Sequence, residues 1–199
     1  MAEKAHLTGT SDAVPPVNDD VVSPVRGDAV APFSGNAASP VGNAASPVGG
    51  DAAVTRMVTR GVRRLLASLD QPSLTEVTVK SGRRADVMAI DGSGGVTIVE
   101  VKVSVGDLRG DRKWPEYRDW CDRLYFAVPP DFPQDLVPVA AGLIVADDYG
   151  GAILREAPDH RLAAARRKAL TQRFARLSAQ RLHRLEDPNG VQSAVLGSI

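Results

Sequence analysis

Two runs of alternating apolar residues, Arg84 to Ile90 and Val96 to Val103, flank Asp91-Gly92-Ser93-Gly94-Gly95, which leaves the middle of the chain little choice but a β-hairpin. The glycines supply the positive φ values that a tight reversal requires. Successive side chains on a strand point to opposite faces, so residues two apart share one. Thr97, Val99, Val101 and Val103 therefore form a face that can pack into a core, while Glu100 and Lys102 project together from the other. On the first run Asp86 stands opposite Ala85, Val87 and Ala89. Pairing of the two runs brings Asp86 beside Glu100.

Two carboxylates with an ammonium group nearby suit magnesium, a hard cation usually held by one or two carboxylates while waters and substrate phosphates complete its shell. Mg2+ (or Mn2+) at Asp86 and Glu100 makes a bound water more acidic and stabilises charge growing on a phosphate, with Lys102 beside that water. This is the chemistry of phosphodiester hydrolysis. The same pattern, a charged pair two apart on a strand, also describes a solvated face with a weak cross-strand ion pair. Glu76, on the preceding strand-like run, is either a third acid near the metal or an exposed residue paired with a basic neighbour.

Composition separates the chain into parts. Residues 1–52 are rich in Pro, Gly, Ala, Ser and Val, without helical or strand periodicity, and Gly-Asn-Ala-Ala-Ser-Pro-Val occurs twice in tandem from Gly35 and Gly42. A disordered linker-like tail is expected there, a folded domain over 53–186, and a flexible tail over 187–199. Net charge is zero, with 24 basic and 24 acidic residues. The first 52 residues take six of the acids and two of the bases, so the remainder carries 22 bases and 18 acids. That excess permits nucleic-acid binding without demanding it. Cys121 is the one cysteine, which excludes an internal disulfide, argues against a cysteine-based zinc site and fits a buried thiol in a reducing compartment. No apolar run reaches the roughly twenty residues of a bilayer span, and the N-terminus lacks a secretion signal, so a cytoplasmic protein without membrane contact is expected.

Within the folded part, Val54, Met57, Val58, Gly61, Val62, Leu65, Leu66 and Leu69 recur at steps of three and four, predicting an amphipathic helix that Pro72 ends. Its other side carries Arg56, Arg60, Arg63 and Arg64, a solvated face or a phosphate contact. Leu74–Lys80, Arg84–Ile90 and Val96–Val103 read as a three-strand meander. Ser104-Val105-Gly106-Asp107 has the spacing of a helix start. The segment from Asp107 to Tyr117 mixes charges and aromatics: Trp114 reads as a core anchor, and Tyr117 is open between core and base stacking. Leu124–Val128 and Ala140–Ala146 look like buried strands, followed by a return strand over Ala152–Arg155 and a helix from Arg161 to Leu185. That helix carries eight basic residues, Arg166, Arg167, Lys168 and Arg173 among them, and no acid. Such one-sided charge calls for an anionic neighbour, for which nucleic-acid phosphates, a protein partner or the acidic tail all qualify.

This order of a helix, three strands bearing Asp86 and Glu100-x-Lys102, another helix and more strands resembles the PD-(D/E)xK nuclease superfamily. More narrowly, Gly82-Arg83-Arg84-Ala85-Asp86-Val87, Val99-Glu100-Val101-Lys102 and Asp111-Arg112-Lys113-Trp114-Pro115-Glu116-Tyr117 through Trp120-Cys121-Asp122 resemble the MmcB-like bacterial DNA-repair proteins. The resemblance implies an α/β (α+β) restriction-endonuclease-like core, a mixed sheet flanked by helices, and a magnesium-dependent nuclease whose partners are DNA and other repair proteins. It implies Asp86 and Glu100 as metal ligands with the Val101 carbonyl as a further one, Lys102 serving the water, and Lys113 and Tyr117 as supporting polar residues. Ala85 stands where the motif's proline would be. A nuclease scaffold that binds DNA or recruits a partner without cutting is the alternative.

Overall fold

The computed structural model describes residues 50–189. Residues 1–49 of the expected tail, its tandem heptads and most of the expected C-terminal tail lie outside the described residues, whereas Asp51 and Ala52, placed in the tail, begin the first helix.

The first helix, α1, spans Asp51–Ser68, beginning three residues before Val54 with Asp51 in its first turn, where a carboxylate complements the helix dipole. It stops before Pro72 through Asp70, whose φ of 55° lies in the left-handed region that aspartate tolerates. Three strands follow, β1 (Ser73–Thr78), β2 (Arg84–Ile90) and β3 (Val96–Val101), then α2 (Val105–Gly110), a 3-10 helix (Trp114–Trp120), β4 (Arg123–Val128), a 3-10 turn (Gln134–Leu136), β5 (Gly142–Ala146), β6 (Gly151–Arg155) and α3 (Ala164–Glu186). Lys80 falls outside β1. Beyond Gly110 the charged and aromatic stretch leaves the helix and resumes as a 3-10 helix with Pro115 in its first turn, where a missing amide costs no intrahelical hydrogen bond. The last helix starts three residues later than Arg161.

The six strands form one sheet in chain order. β1–β2, β2–β3 and β5–β6 are antiparallel, whereas β3–β4 and β4–β5 are parallel, so the sheet is mixed. The three central strands are buried on both faces, which explains why β3 and β4 read as nearly unbroken apolar runs. One face packs Val87, Val99, Tyr125, Ala127 and Ile144 against Val58, Val62 and Leu66 of α1. The other packs Met88, Ile98, Leu124 and Phe126 against Leu108, Tyr117 and Leu170. Trp114 meets Phe126 edge-on with ring centroids 5.5 Å apart, a core anchor as expected. Cys121 is fully buried, its thiol donating to the Tyr117 carbonyl. No helix among the described residues is long and apolar enough to cross a membrane.

The hairpin of β1 and β2 changes phase along its length. Leu74 and Met88 pack on the face that α3 covers, but beyond them Val77, Val79 and Ala85 join that same cluster, so the alternation slips by one residue between Leu74 and Val77 and between Ala85 and Met88. The slip coincides with Glu76, whose φ of 54° is left-handed. Thr75 pairs with Val87 and Val77 with Ala85, and the intervening pair is missing from the ladder. A left-handed residue inside a strand turns the backbone over, and the β1–β2 turn beyond it is tied to the 3-10 helix by the ion pair of Arg83 with Glu116.

α3 is fastened to the far end of the sheet by Asp122, which accepts from the backbone N–H groups of Val96 (2.8 Å) and Leu162 (3.1 Å) and from both terminal nitrogens of Arg167 at 2.7 Å. Arg167 also donates to the Gly94 carbonyl in the β2–β3 turn. These bonds hold the Asp122 carboxylate below the usual range despite its burial. Arg167→Ala is expected to lower unfolding stability by about 2 kcal/mol, measured by denaturant titration. On the opposite face, a Cβ on Gly61 would lie 2.2 Å from the Asp147 carbonyl oxygen and 2.4 Å from that of Gly150. Both are backbone atoms that cannot swing aside, so Gly61→Ala is expected to destabilise by roughly 1–3 kcal/mol through the docking of α1, with a matching fall in melting temperature.

Candidate functional site

The acids meet where β2 leaves β3. The last pair of that ladder is Val87 with Val99. One step further the carboxylates replace the backbone: the Val101 N–H donates to Asp86 Oδ2 at 2.8 Å, and the Asp86 N–H donates to Glu100 Oε1 across a long 3.4 Å. Each acid thus reaches to the other strand, and together they fill the opening between the strands. Glu100 is 4% exposed, whereas Asp86 is only partly buried and is the side of the pair that meets solvent.

Lys102 is 6% exposed. Its ammonium lies 2.8 Å from Asp111 and 3.6 Å from Asp107. Ser104 caps α2 by accepting from the Asp107 N–H, and this cap sets the helix so that both acids face the lysine. Sequence reasoning assigned Asp107 only to the cap and missed Asp111 altogether. The available signal was physical: a lysine buried at the end of a strand needs a counter-charge, and these are the first acids downstream. Tyr117 is buried, its hydroxyl donating to the Arg84 carbonyl at 2.8 Å. It is a core residue of the site rather than a stacking surface. Asp86, Glu100, Lys102, Tyr117 and the buried backbone of Val101 are therefore brought together.

Other expected residues stand apart. Glu76 sits at the register position across from Asp86 but is exposed and ion-paired to Arg84. Lys113 is exposed at the start of the 3-10 helix. Arg166 donates to the Asp119 carbonyl and lies over the Trp120 ring, and Arg167 is the anchor described above. Both lie near the start of β3, about four residues and 13 Å of strand from Glu100. Lys168 and Arg173 are exposed on α3. A cleft of about 390 Å³ opens at that far end, lined by Asp91, Thr97, Asp122, Arg123 and His160, and not at the acids.

Electrostatics follow from this packing. Burial, reinforced by the neighbouring Asp86 charge and opposed by Lys102, pushes the Glu100 carboxyl up to about 8. Burial also raises Asp86, against the hydrogen bond from Val101 and the charge of Lys102. Burial works against the charged form of Lys102, but the hydrogen bond and charge of Asp111 together with Asp107 outweigh it and hold the ammonium above its ordinary value. Tyr117 is raised by burial and by the two nearby carboxylates, so it stays a neutral phenol. Lys102 is accordingly a fixed cation and no proton acceptor at neutral pH.

The donor set suits a hard divalent cation. Two adjacent carboxylates repel one another, and the lysine beside them is already shared with two further acids. Among the described residues no group of three or more His, Cys, Asp or Glu side chains is arranged to hold a metal ion. Asp86 and Glu100 are then the side-chain ligands such an ion would have.

A folded-state value near 8 for Glu100, against 4.5 for an ordinary glutamate, means that the folded chain keeps a proton the unfolded chain has released between those limits. Stability on this account is fullest below about pH 4.5 and declines as pH rises to about 8. Glu100→Gln removes that decline: it is expected to match the parent at pH 5 and exceed it by a few kcal/mol at pH 9, measured by denaturant titration at both values in chelator.

Comparison with known proteins places these features in a family. A family model described as DNA repair protein MmcB-like matches residues 43–189. A solved structure of a protein of unknown function from Silicibacter pomeroyi is 41% identical, covers 70% of this chain and 96% of its own, and superposes with a TM-score of 0.67. SfsA of Pyrococcus furiosus in complex with Ca2+ is 16% identical over 47% of this chain and 57% of its own, with a TM-score of 0.26. No curated protein matches the chain. With three quarters of its length under that family model and the sheet edge of Asp86, Glu100 and Lys102 inside it, the chain belongs to the MmcB-like DNA repair protein family.

Proposed function

We propose that this DNA-repair protein is a magnesium-dependent nuclease of the PD-(D/E)xK type that hydrolyses phosphodiester bonds in DNA. The observation that carries the reading is the pair of carboxylates set side by side at the opened end of β2 and β3, two residues from a buried ammonium. Asp86 and Glu100 would hold the ion, which supplies an acidic bound water and charge stabilisation at the scissile phosphate. Lys102, kept protonated by Asp111 and Asp107, orients the nucleophile and offsets charge on the phosphate oxygens. Tyr117 fixes the Arg84 backbone two residues from Asp86 and closes the apolar side of the site against water. Occupancy by the ion requires Glu100 to lose its proton, so affinity rises with pH up to about 8.

A second reading has an observation of its own. The near-complete burial of Glu100 and the engagement of Lys102 with two acids suit a silent nuclease scaffold that binds DNA or a repair partner without cutting it.

Calorimetric titration with Mn2+ and incubation with single-stranded, duplex, nicked and branched DNA separate the two. The nuclease reading expects tighter Mn2+ binding at pH 8.5 than at pH 6.5, no binding by Glu100→Gln, and cleavage reduced by at least a hundredfold in Asp86→Ala and Lys102→Ala. Absence of cleavage on every substrate leaves the silent scaffold, and variants that cut as well as the parent overturn the catalytic assignment of Asp86 and Lys102.

A further inference from the structure

The sheet edge that carries Asp86 and Glu100 also carries exposed cations without ion-pair partners. Lys80 in the β1–β2 turn, Arg109 on α2, and Arg112 and Lys113 just after it are exposed, and none takes part in an ion pair among the described residues. β1 ends and β2 begins at this edge, and β3 runs out here into α2. Two contacts pin both segments beside the acids: Lys102 holds α2 through Asp107 and Asp111, and Arg83 makes a two-point ion pair with Glu116, at 2.9 and 3.1 Å, joining the turn to the 3-10 helix. Of the basic residues first expected to meet phosphate, Arg166 and Arg167 are occupied at the other end of the sheet, while Lys168 and Arg173 are exposed on α3 and, like the rim cations, in no ion pair among the described residues.

We infer that these four cations form a rim that takes the phosphate backbone of a single nucleic-acid strand, leading it to the acids. The inference rests on the reading of the protein as one that works on DNA, and goes beyond it in naming the surface and the form of the ligand. The form follows from depth. Glu100 and Lys102 lie beneath the surface at 4% and 6% exposure, while the rim residues stand on it. A duplex is stiff and bends only at an energetic cost, so it rests on a rim without entering. A single strand bends freely from one cation to the next, and its backbone is the part the cations attract.

The test is fluorescence anisotropy of the full chain with a labelled oligothymidine of roughly 20 nucleotides in chelator, beside a hairpin duplex of the same length. A variant carrying Lys80→Ala, Arg109→Ala, Arg112→Ala and Lys113→Ala is expected to bind the single strand at least tenfold more weakly. Its plot of log affinity against log salt should be shallower by about 3, since each single-strand phosphate contact contributes roughly 0.7. A Lys168→Ala, Arg173→Ala variant should stay within twofold of the parent, and the parent should prefer the single strand. Thermal melts equal to the parent's establish that the substituted chains are folded. Equal binding by the rim variant, preference for the duplex, loss confined to the α3 variant, or no binding by the parent each overturns the rim. Because the measurement contains no metal, a parent that binds through the rim but never cuts sinks the nuclease reading alone, and a parent that cuts while the rim variant binds normally sinks the rim alone.

Discussion

The architecture of the site depends on one event, the parting of β2 from β3 after Val87 and Val99. An opened antiparallel pair exposes amide groups that must find partners or carry a desolvation cost. Here the side chains of Asp86 and Glu100 supply those partners, so the carboxylates are held by the backbone they replace. Their position is then set by main-chain geometry rather than by flexible packing. The left-handed turn at Glu76 and the opening of the strands at Asp86 coincide: the β1–β2 ladder skips the Glu76–Asp86 pair, and the β2–β3 ladder ends one residue short of Asp86.

Once the acids are placed, the surrounding charges are nearly dictated. A buried carboxylate next to another is tolerated only if one keeps its proton or a cation arrives. Lys102 cannot neutralise both acids, because α2 offers it two competing carboxylates, one of which is held below its ordinary range by the lysine despite burial. The result is a lysine that is rigid and charged beside an acid pair that is short of positive charge. Stability and ion affinity would therefore oppose each other at Glu100: the proton that favours the folded state is the one a bound ion would have to displace.

Much of this was legible in the chain. Periodicity located the six strands and three α-helices of the described residues to within a few residues, because the central strands are nearly all apolar, Ser104 and Pro72 mark helix ends, and a glycine-rich reversal separates β2 from β3. The juxtaposition of Asp86 and Glu100 followed from period-two geometry and the short turn between them. What escaped was tertiary. Arg167 looks like any other arginine on a basic helix, and only the fold shows Asp122 waiting just before β4. Glu76 has nothing in its neighbours to announce a left-handed backbone, and Asp111 is nine residues beyond the Lys102 it partners. Tyr117 could not be assigned because its hydroxyl bonds to a carbonyl 33 positions earlier.

The fastening of α3 also bears on the order in which the molecule can be assembled. Arg167 reaches back 73 positions to Gly94 and 45 to Asp122, and Arg181 reaches 106 to the Thr75 carbonyl. Closing such long loops is entropically slow, and nothing local rewards it beforehand. On a ribosome the edge bearing the acids would be complete while Leu170 and Phe174 were still unmade, leaving the apolar patch they cover naked. The last helix is thus a late-arriving seal, and the nascent chain passes through a stage at which it carries its chemistry but not yet its roof.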